Sequence, residues 1–273
     1  MTDPKTPDPK TPDPNTPDAP QPDAPKPERI AKRIARAGVA SRRDAEAMIA
    51  AGRVVLNGKT LDTPATLVGP TDEIIVDGQP LPALDKIRLW RYHKPSGLVT
   101  TNRDPEGRMT VFDKLPPHLP RVVSIGRLDL TSEGLLLLTN DGGLARALEL
   151  PSRGWTRRYR VRVYPQPEPK ALAALAAGLV VDGERFGPIK AVVEQQPEGT
   201  GRRANAWLTV TLKEGRNREI RRALEYVGHP VSRLIRTAYG PFQLGHLGPS
   251  EVEEVSGKVL KEQLGAFAKE LGI

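Results

Sequence analysis

The chain has 273 residues, a formal net charge of +8 and a pI near 9.8. It has no cysteine, which excludes disulfides, thiolate metal sites and a cysteine nucleophile. Its four histidines lack metal-ligand spacing, so no metal site is predicted. No apolar run approaches the length of a membrane span, and the N-terminus lacks the apolar stretch of a signal peptide. We therefore expect a cytoplasmic, monomeric protein that does not bind a membrane.

The positive net charge predicts a polyanionic partner, most simply nucleic acid. A basic but otherwise ordinary enzyme is the alternative.

Residues 1–27 repeat a Thr-Pro-Asp-Pro-Lys pattern with small variations. Closely spaced prolines remove backbone donors and block helix formation, and the segment has almost no apolar side chains to offset the entropy of ordering. We predict a disordered, partly polyproline-II tail, with a specific binding role as the alternative.

The pattern changes at Glu28, where a small helical unit begins. The spacing of Ile30 and Ile34 predicts a helix that stops at Gly38. Ser41 then predicts the N-cap of a second helix, with Asp44 supporting its first turn.

A hairpin follows this helix pair, because Asn57-Gly58 is a strong turn signal between two short strand-like runs. The whole unit, residues 28–76, resembles the S4 RNA-binding domain, and the resemblance implies that it binds structured RNA. The alternative is an ordinary solvated basic face. The basic residues predicted to contact RNA are Lys32, Arg33, Arg36, Arg42, Arg43, Arg53 and Lys59.

Residues 77–86 contain Asp77-Gly78 and two prolines, and they predict a linker to a second domain over residues 87–273. In that domain strands and helices interleave without a regular βαβ repeat, so we predict an α+β fold with a large mixed or antiparallel sheet. Strands are predicted at Ile87–Tyr92, Val122–Ile125, Leu135–Thr139, Tyr159–Tyr164, Val192–Glu194 and Ala206–Leu212. Helices are predicted at Leu144–Leu150, Glu168–Ala177 and Asn217–Val227.

The chemistry open to this chain is limited. It has neither a phosphate-binding Gly-x-x-x-x-Gly-Lys loop nor a Gly-x-Gly-x-x-Gly turn, which disfavours nucleotide hydrolysis and dinucleotide chemistry. Carboxylates, Lys, Arg and Tyr remain as candidate catalytic groups. Asp129 is the leading candidate, since it lies in a short turn beside Arg127 and before an apolar run. Taken alone, Asp129 is better interpreted as an ordinary turn aspartate paired with Arg127.

Four segments favour a catalytic role for Asp129 over an ordinary turn aspartate. In chain order they are His93–Thr101, Gly126–Asp129, Arg158–Val161 and Glu214–Arg222. Together they resemble the RsuA/RluB family of pseudouridine synthases, many of which carry an N-terminal S4 domain. The resemblance implies isomerisation of uridine in ribosomal RNA without a cofactor or a metal. The sequence resembles the large-subunit RluB-like branch more closely. Small-subunit rRNA as substrate, or a non-catalytic RNA-binding or ribosome-assembly protein, are the alternatives.

The resemblance also implies roles for individual residues. Asp129 matches the catalytic aspartate, which attacks the ribose or the base or removes a ribose proton. Tyr159 matches the aromatic residue that stacks on the target base, with a packed core tyrosine as the alternative. Arg221 matches the basic residue expected to pair with the aspartate, because a neighbouring arginine favours an ionised carboxylate near RNA phosphates. Arg218 and Arg216 remain open as that partner.

Further basic residues of this domain are predicted to contact RNA around an extruded uridine. These are Lys94, Arg127, Arg216, Arg218 and Arg222. For Lys94, in a Lys-Pro-x-Gly turn, a structural role is the alternative. Asn140 and Asp141 are both predicted to cap the helix that begins near Gly142.

Overall fold

The structure is a computed structural model that describes residues 27–195, 204–271 and 273. The predicted Pro-rich tail lies outside these residues, apart from its last position. The chain divides between Pro82 and Ala83 into two compact units. Within the described ranges, no helix is long and apolar enough to cross a membrane.

The N-terminal unit packs two short helices against small antiparallel sheets. Its elements are β1 (Glu28–Arg29), α1 (Ile30–Arg36), α2 (Arg42–Ala50), β2 (Val54–Leu56), β3 (Lys59–Thr60), β4 (Leu67–Val68), β5 (Ile74–Val76) and β6 (Gln79–Pro80). The predicted start of the second helix is confirmed, since the Ser41 hydroxyl accepts a hydrogen bond from the Asp44 backbone N–H at 3.0 Å. The predicted hairpin is confirmed as well: Asn57 and Gly58 both have positive φ, and they join β2 to β3.

The structure differs from the predicted linker over its first residues. Asp77 and Gly78, with φ of 51° and 76°, form a second tight turn, and β6 pairs with β5 beyond it. Asp-Gly with positive φ at both positions is a preferred two-residue hairpin turn. The start of the predicted linker is therefore part of the N-terminal sheet.

The C-terminal unit is built on a large mixed sheet, as predicted. Its strands are β7 (Leu89–Lys94), β8 (Val123–Ile125), β9 (Ser132–Thr139), β10 (Arg157–Val163), β11 (Leu179–Val181), β12 (Glu184–Phe186), β13 (Lys190–Val193), β14 (Ala206–Leu212), β15 (Val231–Tyr239), β16 (Phe242–Gln243) and β17 (Val252–Val255). Its α-helices are α3 (Gly142–Glu149), α4 (Pro169–Ala177), α5 (Glu219–Tyr226), α6 (Gly257–Leu264) and α7 (Ala266–Glu270). The order across the sheet is β13-β14-β10-β15-β9-β7-β17, with β8 also paired to β9 and β16 to β15.

Strand β9 is buried on both faces, which explains its uninterrupted run of leucines. Leu136 and Leu138 belong to one hydrophobic cluster, and Leu135 and Leu137 belong to another. The predicted apolar strand is thus confirmed and lies deep in the sheet. Of the two predicted caps, Asp141 caps the helix that follows, accepting a hydrogen bond from the Leu144 N–H at 2.8 Å. Asn140 does not cap it, because its side chain accepts from the Arg88 N–H and donates to the Lys86 carbonyl instead.

Strand β15 is absent from the strands predicted above, although it lies near the middle of the sheet. It runs antiparallel to β10 and parallel to β9. Arg233 and Arg236 interrupt its apolar pattern, which hides the period of two on which strand prediction depends.

Candidate active site

Asp129 lies in the loop that joins β8 to β9. Gly126, with φ of +69°, opens this loop, and the side chain of Asp129 is 34% exposed. Strand β9 fixes the other end of the loop, because β9 is paired with β7 and with β15. A partly exposed carboxylate thus sits on a short loop held by a buried strand.

Each backbone carbonyl of this loop, from Arg127 to Ser132, has a hydrogen-bond donor. Buried backbone carbonyls need such partners, and six in succession leave the loop little freedom to move. The donors, in chain order, are Arg236 Nη1 to Arg127 (3.4 Å), Thr100 Oγ1 to Leu128 (2.8 Å), Ser132 N to Asp129 (3.0 Å), Gly97 N to Leu130 (2.8 Å), Arg221 Nη2 to Thr131 (3.1 Å) and Lys94 Nζ to Ser132 (2.8 Å).

Lys94 is fully buried, which corrects its prediction as an RNA contact. Its Nζ donates to the carbonyls of Pro95, Leu130 and Ser132 at 3.0, 3.4 and 2.8 Å. Burial lowers the pKa of Lys94 to about 8, while the charges of Asp129 and Glu133 oppose that change. The sequence left an RNA contact and a structural role open for Lys94, and the geometry fits the structural role. Lys94 stabilises the Asp129 loop by binding its backbone carbonyls.

The arginine nearest to the Asp129 carboxylate is Arg218, whose Nη1 lies 3.9 Å from Oδ2. Arg221, the pairing partner implied by the resemblance, is buried instead and donates to the carbonyls of Val231 and Thr131 at 3.2 and 3.1 Å. Burial lowers the pKa of the Arg221 guanidinium, and the nearby charge of Arg218 lowers it further. Arg218 thus supplies the close counter-charge, and Arg221 acts on the loop backbone.

The two arginines differ because α5 begins later than the sequence predicted. Arg218 is the N-cap residue, with a left-handed φ of 49°, and the helix starts at Glu219. Glu219 is buried, and its Oε2 accepts a hydrogen bond from the Arg216 N–H at 3.0 Å. Burial raises the pKa of Glu219. This turn projects Arg218 toward solvent, whereas Arg221 lies one turn into the helix.

A cavity of about 480 Å³ opens beside Asp129. Tyr159 on β10 forms part of its wall and is 9% exposed. Ile220, Arg236 and Tyr239 also line it. The cavity therefore combines a carboxylate, an aromatic ring, a cation and apolar side chains, which suits a flat polar ring such as a nucleobase.

Comparisons with known proteins agree with this geometry. The model of the RNA pseudouridylate synthase family matches residues 88–226, and the S4 domain model matches residues 28–74. The chain belongs to the RNA pseudouridylate synthase family. An uncharacterized RNA pseudouridine synthase of Rickettsia prowazekii is 46% identical, over 86% of this chain and 97% of its own.

Two further relatives extend the comparison. Ribosomal large subunit pseudouridine synthase B of Salmonella typhimurium is 43% identical, over 80% of this chain and 75% of its own. A solved pseudouridylate synthase structure superposes with a TM-score of 0.59 and 25% identity, over 86% of this chain and 99% of that one. The family predicted from the four sequence segments is thus confirmed.

The other basic residues predicted around the synthase cavity have different surroundings. Arg127 is exposed and lines the cavity together with Arg218. Arg216 pairs with Glu184 and Glu214 at 3.0 and 2.7 Å. Arg222 also pairs with Glu184, at 2.6 Å. Arg216 and Arg222 therefore anchor the β11–β12 hairpin to the start of α5.

In the S4 domain, three of the predicted RNA contacts converge on the buried carboxylate of Glu28. Lys32, Arg33 and Arg36 approach its oxygens at 3.0, 2.9 and 2.9 Å. The Glu28 pKa is lowered by these cations, against the opposing effect of its burial. Arg53 forms a two-point ion pair with Asp77. Arg42, Arg43 and Lys59 are exposed, and no side-chain partner is found for them among the described residues.

Sequence reasoning missed two residues that hold the site. Thr100, near the end of the first matched segment, forms two hydrogen bonds with the backbone of Leu128. Its hydroxyl donates to the Leu128 carbonyl and accepts from the Leu128 N–H at 3.3 Å. Arg236 lies outside every matched segment. Residue type and spacing give no signal for either, since both act through the backbone of the Asp129 loop.

Proposed function

We propose that this synthase converts a uridine of large-subunit ribosomal RNA to pseudouridine, with Asp129 as the catalytic residue. The observation that carries the proposal is the Asp129 carboxylate, which lies at a cavity that Tyr159 also lines, on a loop whose six successive backbone carbonyls all accept hydrogen bonds. The choice of the large subunit is supported by the relatives named for that activity, among them the Salmonella enzyme.

The reaction needs little beyond these groups. The N1–C1′ bond of uridine breaks, the uracil turns, and a C5–C1′ bond forms. C5 loses its proton, and N1 gains a proton. Asp129 attacks the ribose or the base, or removes a ribose proton. Tyr159 stacks on the uracil, and stacking on an aromatic side chain contributes about 1–3 kcal/mol per base. Arg218 supplies a positive charge 3.9 Å from the Asp129 carboxylate.

The RNA backbone is held by exposed cations. Arg127 and Arg218 lie at the cavity, and Arg42, Arg43 and Lys59 lie on the S4 domain. Extrusion of the uridine costs a few kcal/mol of stacking, which these contacts offset. We propose that the enzyme is a monomer and that it acts in the cytoplasm.

The test is base-resolved pseudouridine mapping of both ribosomal RNAs from cells with and without the gene, and from cells carrying only Asp129→Asn. We expect one uridine of the large-subunit RNA to lose its modification in the deletion and the variant alike. The purified variant should still bind RNA. A missing site in small-subunit RNA would move the substrate to that subunit. If the mapping is unchanged by deletion, the protein is an RNA-binding member of the family without this activity.

A further inference from the structure

Arg236 occupies a position in the sheet that links the two sides of the active site. It is 2% exposed, and it pairs in register with Tyr159 on β10 and with Gly134 on β9. Cross-strand partners project from the same face of a sheet, so the side chains of Arg236 and Tyr159 are neighbours. Gly134 has no side chain, and a Cβ at this position would collide with the backbone of Arg236.

A β-bulge next to Arg236 adjusts the strand at this point. The pairing with β10 passes from Arg158↔Ala238 directly to Tyr159↔Arg236, so Thr237 is skipped. The extra residue turns both Arg236 and Tyr239 toward the same cavity, although they are three positions apart. Bulges are common beside active sites because they re-aim side chains in this way.

The guanidinium of Arg236 forms a hydrogen bond with the Asp129 loop. Nη1 donates to the carbonyl of Arg127 at 3.4 Å, two residues before Asp129, and Nε donates to the carbonyl of Leu135 at 2.7 Å. Its central carbon, Cζ, lies over the Tyr239 ring, 5.4 Å from the ring centre. Nη2 is buried, and no hydrogen-bond partner is found for it among the described residues. A buried charge with an unused donor costs stability, so Arg236 is not explained by folding stability alone.

We propose that Arg236 is a positioning residue that fixes the distance between the Asp129 carboxylate and the ring of Tyr159. Its backbone is paired with the strand of Tyr159, and its side chain holds the loop of Asp129. The rigid fork of a guanidinium can hold two carbonyls in fixed directions, whereas an ammonium is a single point of attachment. The inference rests on the proposed function, since it assigns Arg236 to the same reaction.

The test compares Arg236→Gln and Arg236→Lys with the wild-type enzyme, using full-length protein and a ribosomal RNA fragment that the wild type modifies. The melting temperature of each variant is measured first, and kcat, KM, single-turnover rates and RNA affinity are then measured well below it. A misplacement of about 1 Å costs on the order of 10²-fold in rate, so we expect kcat to fall by about that factor. KM and RNA affinity should stay within about threefold. Arg236→Lys keeps the charge and guards against a loss of folding, and it should not restore kcat.

The matched control is Arg233→Gln on the same strand. Arg233 is half-exposed and pairs with the Glu133 side chain, not with a loop carbonyl; its loss should leave kcat within about twofold. Unchanged kcat in both Arg236 variants, or a raised KM with kcat retained, would overturn the positioning role. Failure of the wild type to form pseudouridine would instead refute the proposed function, so the two failures are distinguishable.

Discussion

The backbone of Gly134 lies directly against the backbone of Arg236. A Cβ added to Gly134 would lie 2.7 Å from the Arg236 nitrogen and closer still to its carbonyl oxygen. Gly134 also has a φ of +97°, which side-chain-bearing residues rarely adopt. The parallel pairing of β9 with β15 at this point therefore depends on a glycine.

Gly134→Ala should destabilise the synthase by about 2–5 kcal/mol, because overpacking and backbone strain add. Urea unfolding measures this loss. Gly107→Ala is the control: its φ is +69°, but a Cβ there meets nothing within 4 Å. We expect about 1 kcal/mol for that variant. Equal losses for the two variants would mean that close packing at Gly134 contributes nothing.

Arg218 and Arg221 should separate activity from stability. Arg221→Gln leaves the carbonyls of Thr131 and Val231 without charged donors, and should lower the free energy of unfolding by about 2–3 kcal/mol. Arg218→Gln removes a half-exposed charge, so stability should change by less than about 0.5 kcal/mol. Its kcat should nevertheless fall by about tenfold, which corresponds to about 1.4 kcal/mol of transition-state stabilisation. Arg218→Lys should recover part of the rate; an Arg218→Gln enzyme with wild-type kcat would remove Arg218 from the site.

The lowered pKa of Lys94 predicts that stability and activity change in opposite directions as the pH rises. Its pKa is lowered from 10.5 to about 8 by burial. Below about pH 8 both native and unfolded chains hold the proton; between about pH 8 and 10.5 only the unfolded chain keeps it. The contribution of Lys94 to the free energy of unfolding therefore rises with pH over this window. Activity should fall over the same window, because the uncharged amine holds the Leu130 and Ser132 carbonyls less strongly.

Denaturant unfolding and kcat profiles of the wild type and Lys94→Met, from about pH 7 to about pH 10, check this prediction. The wild type should gain stability relative to the variant as pH rises, and its high-pH fall in kcat should be missing from the variant. The same fall in both enzymes would assign it to another group.

Salt dependence should distinguish exposed from internally paired cations of the S4 domain. Arg42 and Arg43 are exposed on the first turn of α2. Replacing both by Gln should lower the slope of log affinity against log salt by about 0.7–0.9 for every RNA phosphate that these arginines neutralise. Arg53→Gln, whose side chain is already paired with Asp77, serves as the control and should change the slope less. A larger effect of Arg53 would place the RNA on the other side of the hairpin.

The sequence is most informative where a local signal has one structural cause. The leucine run of β9, the N-caps at Ser41 and Asp141, and the Asn57-Gly58 turn each depend on a few neighbouring residues, and each is predicted from them. Arg218 and Arg221 cannot be told apart in this way, because their spacing of three fits one helical face. The left-handed conformation of Arg218, which places it before the helix, has no signal in that spacing.

Long-range pairing is the part that sequence could not predict. Strand β15 contains Arg233, which forms an ion pair with Glu133, and Arg236, which donates to the Arg127 carbonyl. In both cases the partner lies about a hundred positions earlier in the sequence. Arg236 therefore resembles a surface residue in the sequence but is buried in the fold. The prediction of Lys94 as an RNA contact is wrong for the same reason, since two of its three partners, Leu130 and Ser132, lie 36 and 38 positions later in the sequence.

The position of β15 also has a consequence for synthesis on the ribosome. It lies between β10 and β9, yet it is the last of these three strands to be translated. A nascent chain that ends before Val231 would present the open edges of two half-sheets, which is a condition that favours aggregation. In that chain the Arg127 carbonyl has no Arg236 to bind, so the catalytic loop forms only after the late strand has inserted. We expect the enzyme to gain activity only after β15 has been translated and has inserted between β10 and β9.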